Sequence, residues 1–74
     1  MKLSERSMPI IDVPVGSICL CELSVDLGEK GIPLYIPEDK SSGLGYVTGI
    51  KINPNKTREP FRVTGAFMVY IRES

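Results

Sequence analysis

Cys19 and Cys21 are the only cysteines of the 74-residue chain, and a C-x-C spacing in an extended strand sends both sulfurs to one side of a sheet. Two thiolates so placed would hold a soft metal. A zinc site takes four Cys or His ligands, or three with an open position, and the chain has no histidine. A second copy would have to complete the set, so no metal is expected and both cysteines read as small core hydrophobes. A disulfide between them would be strained, because a strand holds i and i+2 Cα atoms near the limit of bridgeable separation.

Catalysis meets a similar shortage. Without histidine the available bases are Asp, Glu and Lys, and the acidic candidates are scattered; the adjacent Glu38 and Asp39 sit in a run of loop formers. Ser41-Ser42-Gly43-Leu44-Gly45 resembles a phosphate-cradling loop only in its glycines, since the P-loop places its Lys after them and a helix next, whereas Lys40 precedes them. The chain is expected not to be an enzyme and to bind no cofactor.

Charge carries more content. Residues 1–39 hold three cations against seven anions, a net of −4, and residues 40–74 hold six against two, a net of +4, within a chain of zero net charge. Lys51, Lys56, Arg58 and Arg62 surround the loop 53–60, and with Tyr46 for stacking they would make a nucleic-acid surface. The pI of about 6.2 argues against that reading, since nucleic-acid modules are distinctly basic. The second patch is Ala66, Met68 and Tyr70, on the face of the last strand that a one-sided sheet would keep polar. Either the segment around Ile10 and Ile11 covers them, or they belong to an interface, where Met and Tyr are favoured.

The elements that must position these residues are strands. Val, Ile and Thr number 17, against one Ala and no Gln, a balance that favours sheet over helix. Residues 1–8 read as a flexible N-terminal arm, and 9–74 as one small β domain. Ile18 to Leu27 alternates as a half-buried strand, with Gly28 to Gly31 a hairpin-type turn into a short strand, Ile32 to Ile36, between Pro33 and Pro37. Pro37 to Gly45 reads as the most mobile loop. In Leu44 to Ile52, Tyr46, Thr48, Ile50 and Ile52 share one face and Val47 and Lys51 the other. Asn53 to Pro60 should protrude, with Asn55 supplying a positive φ. Finally Phe61, Val63, Gly65, Phe67, Val69 and Ile71 alternate with Arg62, Thr64, Ala66, Met68, Tyr70 and Arg72 along one long strand bent at Gly65.

These observations predict an all-β fold, a small five-stranded antiparallel barrel or open sandwich, SH3-like rather than OB-like, with no substantial helix. No stretch approaches the length of a transmembrane helix, and the first residues lack the apolar run of a signal peptide. A cytoplasmic location is expected, or the host-cell cytoplasm if the chain is virus-encoded. The function expected is protein–protein interaction, as a homo-oligomer or with a partner, in the manner of a virus- or phage-encoded accessory or inhibitory protein. Met68, Tyr70, Lys56 and Arg58 are the expected protein interface, with no membrane partner. The alternative is nucleic-acid binding through Lys51, Lys56, Arg58, Arg62 and Tyr46.

Overall fold

Runs of β-branched residues separated by turn formers become strands of one antiparallel sheet in the computed structural model, which describes residues 2–40 and 44–73. The strands are β1 (Met8–Pro9), β2 (Cys19–Cys21), β3 (Leu34–Asp39), β4 (Tyr46–Ile52), β5 (Arg58–Thr64) and β6 (Met68–Ile71). Their order across the sheet is β1-β6-β2-β3-β4-β5. The helices among the described residues are a single 3-10 turn, Ile10–Asp12, and the five-residue α1, Glu22–Asp26. No helix among these residues is long and apolar enough to cross a membrane.

The sheet must curl. Strands β5 and β6 are four strand spacings apart, about 19 Å if the sheet were flat, yet the chain from Thr64 to Met68 reaches only about 14 Å. The 3-10 turn pins the linking residues: Ile10 N–H donates to the Phe67 carbonyl at 2.8 Å and Ile11 N–H to the Gly65 carbonyl at 3.1 Å. The inner face then encloses Ile10, Val13, Cys19, Val47, Phe61 and Val69, with Met8, Tyr35, Val63, Phe67 and Ile71 packed against them. Tyr35 meets the rings of Phe61 and Phe67 edge-on, at centroid distances of 5.1 and 5.5 Å, a geometry favoured by ring quadrupoles.

Several expectations need correction. The predicted strand from Ile18 to Leu27 stops at Cys21, and α1 follows. Gly28, at φ 67°, closes that helix: its N–H donates to the Val25 carbonyl and the Glu29 N–H to the Ser24 carbonyl, the Schellman pattern that needs a left-handed residue. Gly28 is thus a helix terminator and not part of a hairpin turn. The strand expected over Ile32 to Ile36 runs instead from Leu34 to Asp39, with Pro37 inside it.

Among the described residues six strands replace the expected five. The long final strand is divided by the turn at Gly65 and Ala66, where Phe67 N–H donates to the Thr64 carbonyl at 3.0 Å, and Met8–Pro9 adds a two-residue edge to β6. The alternation survives that turn, so Phe61 and Val69 are both inside and Arg62 and Met68 both outside. Beyond β1, Leu3 bridges Arg72 and Ser4 N–H donates to the Ile71 carbonyl at 2.8 Å. The loop expected at 53–60 shortens to a β4–β5 hairpin, with Arg58 to Pro60 in the strand. Residues 41–43, the centre of the expected mobile loop, lie outside the described residues.

That hairpin sets the hydrogen-bond phase of the β5 edge. Asn53 N–H donates to the Thr57 carbonyl at 2.9 Å and Lys56 N–H to the Asn53 carbonyl at 2.8 Å, with Lys56 rather than Asn55 at positive φ, 68°. This is a type I turn closed by a left-handed residue. Counting alternate pairs onward from Asn53–Thr57, the backbone groups of Arg58, Pro60 and Arg62 turn away from β4 toward the open edge. Pro60 has no N–H to offer there, so it interrupts the edge without weakening the β4 ladder.

Candidate functional site

The outer face of β3 and β4 carries a second apolar layer. Leu34 lies opposite Ile52 and Ile36 opposite Ile50, and strand alternation turns all four away from the core side occupied by Tyr35 and Val47. Each is half-buried. None belongs to the enclosed cluster. Sequence reading missed this block because it assigned each strand a single buried face; the apolar residues on both parities of β4, Val47 on one and Ile50 and Ile52 on the other, are the signal.

Basic groups border the block on one side. Arg58 pairs with Ile52, Pro60 with Ile50 and Arg62 with Thr48, so the same alternation gives Arg58 and Arg62 to the outer face, both exposed. The Arg62 guanidinium lies 5.0 Å from the centroid of the Tyr46 ring, a cation–π contact. Lys51 parts from this group: its Nζ is 3.8 Å from Glu59 Oε1 and 5.8 Å from the Tyr35 centroid, on the core side of the sheet. Lys56 is exposed at the hairpin tip. The five proposed nucleic-acid residues therefore divide, with Tyr46, Arg58 and Arg62 together and Lys51 on the opposite face.

Met68 and Tyr70 share the outer face of β6, away from buried Val69. Met68 is opposite Pro9 and Tyr70 opposite Leu20. What reaches Tyr70 is α1, whose Asp26 Oδ1 accepts the Tyr70 hydroxyl at 3.1 Å; Ile10 is in the core instead. That hydrogen bond, with burial and the negative charges of Asp26 and Glu22, raises the Tyr70 pKa. In the sheet, β2, β3 and β4 separate β6 from β5, so Met68 and Tyr70 do not share a strand pair with Arg58.

Helix α1 lies on this same outer side, packed against β2 and β6. Its polar residues are the ones tied to the sheet: Asp26 takes Tyr70, and Glu22 Oε2 accepts the Ser7 hydroxyl. Leu23 and Leu27, one turn apart, are 65 % and 66 % exposed.

Cys19 is enclosed and Cys21 half-buried, both as free thiols. Burial pushes the Cys19 thiol up to about 11, partly offset by nearby Lys40, whose Nζ donates to the Val13 carbonyl. Among the described residues no group of three Cys, Asp or Glu side chains is placed to hold a metal. Comparison with known protein families, curated proteins and solved structures found no match.

Proposed function

We propose that the chain is a non-enzymatic, SH3-like small barrel that works by binding protein through the outer face of β3 and β4. The observation that carries this is the block Leu34, Ile36, Ile50 and Ile52, four aliphatic side chains in cross-strand pairs outside the enclosed core. A half-buried aliphatic block outside the enclosed core and rimmed by Arg and Tyr has the composition of an interface centre. Pro60 at the β5 edge disfavours strand addition there, so recognition through side chains on the sheet face is the better supported mode. Tyr46 and Arg58 belong to the rim of that face, and Met68 and Tyr70 lie on its far side beyond β2.

The test is a paired substitution, Ile36→Glu with Ile50→Glu. A chain that keeps its thermal unfolding but loses association, with itself or with a purified partner, supports the reading. A chain that unfolds places these residues in a core, and one that associates as before moves the interface elsewhere; either overturns it.

The Arg62–Tyr46 stack favours one second reading, single-stranded nucleic acid, in which a base would take the ring and phosphates the two arginines. Binding whose salt dependence flattens in Arg58→Ala and Arg62→Ala would establish it. Retention of nucleic acid unaffected by these changes would exclude this face.

A further inference from the structure

A helix laid on a sheet ordinarily turns its apolar stripe downward. In α1 the apolar residues divide: Val25 is half-buried, but the two leucines are exposed. Glu22 and Asp26 are held by Ser7 and Tyr70, and Leu23 and Leu27 point away, about two-thirds exposed. The chain therefore displays two apolar surfaces on the outer side of one sheet: the Leu23/Leu27 ridge over β2 and β6, and the aliphatic block of β3 and β4. Since β2 adjoins β3, the two lie beside each other.

Their charges are opposite. Glu29 is exposed just beyond α1, and Arg58 and Arg62 are exposed beside the block. Deepening the reading of this face as a protein-binding surface, on which it rests, we infer that its partner is a second copy of the same chain. The α1 ridge of each copy seats on the β3–β4 face of the other about a two-fold axis. Leucines then meet isoleucines, and carboxylates meet guanidiniums, twice over by symmetry, as an isologous interface requires. A stable interface takes about 800 Å² from each partner, roughly a sixth of the chain's 4801 Å². An acidic peptide from another protein would suit the β3–β4 face but would leave Leu23 and Leu27 uncovered.

Sedimentation of the purified full chain over a range of concentrations tests this, with two charge reversals of exposed residues. One variant carries Arg58→Glu and Arg62→Glu, the other Glu29→Lys; circular dichroism establishes that each is folded. The wild-type chain should dimerise, and each variant alone should dimerise roughly tenfold or more weakly, since like charges then face each other at both contacts. An equal mixture of the two should restore a heterodimer, because both contacts of the mixed pair are again complementary. Leu23→Glu should likewise give a monomer. A wild-type chain that is monomeric throughout, grows without limit, or dimerises indifferently to both reversals overturns the inference. The two readings separate: a monomeric chain that still binds another protein, and loses it in Ile36→Glu/Ile50→Glu, keeps the face as a protein-binding surface and overturns only the second copy as its partner.

Discussion

The ring of Phe61 closes over Gly49 on the inner side of the β4–β5 pair. A Cβ at position 49 would stand 2.9 Å from Phe61 Cε2 and 2.0 Å from the carbonyl oxygen of Ile36, where the β3–β4 register shifts between Pro37 and Asp39. The glycine lets β3, β4 and the ring approach together, and so helps the sheet to curl.

Gly49→Ala should therefore cost about 3 kcal/mol or more, at or beyond the upper end of ordinary overpacking, read from urea unfolding. Trimming the ring by Phe61→Leu should not restore stability, because the nearer obstacle is the Ile36 backbone. A Gly49→Ala chain as stable as wild type would contradict the packing described for this face.

Lys56 offers a gain. A side chain in the left-handed region costs on the order of 1 kcal/mol, and this hairpin class favours glycine at that position. Replacing Lys56 by Gly should raise the melting midpoint by a few degrees, while Lys56→Val, β-branched at positive φ, should lower it. No change in either would mean that the tip is not held at φ 68° in solution.

The cysteines should differ in reactivity. Cys19 is 0 % exposed, so an alkylating reagent should modify half-buried Cys21 first and reach Cys19 only as the chain opens. Alkali gives a second measurement. The folded chain holds the Cys19 proton until about 11 against an ordinary value of 9.0, so between those values the native state binds more protons than the unfolded one. Stability present below pH 9 is then lost as pH rises toward 11, at no more than about 1.4 kcal/mol per pH unit. The slope should be shallower in Cys19→Ala; equal slopes would show that this thiol contributes nothing to it.

Particular residues show how much of this was legible in sequence. Period-two alternation located β4 and the stretch that forms β5 and β6, though as one strand beginning at Phe61, and it found the correct inward set, Phe61, Val63, Phe67, Val69 and Ile71, because those residues meet one continuous core. The same alternation misread Glu22 to Leu27, since five helical residues are too few to show a 3.6 period; the cue was Gly28 as a helix terminator, hidden by its resemblance to a turn glycine. The basic cluster was grouped by proximity in sequence, which ignores that Lys51 and Arg58 fall on opposite faces of the sheet. The aliphatic block escaped notice because Leu34 and Ile36 become neighbours of Ile52 and Ile50 only through the β3–β4 register.

Pairing β6 with both β1 and β2 bears on the order in which the fold is assembled. The hairpins β3–β4 and β4–β5 join segments close in sequence and close first, at small loop entropy. Met8 and Pro9, in contrast, find their partners in Val69 and Met68, almost the whole chain away. During synthesis the segment that supplies Ile10 and Val13 to the core leaves the ribosome ahead of β6 and waits for it, so residues translated well before their partners are among the last to be fixed.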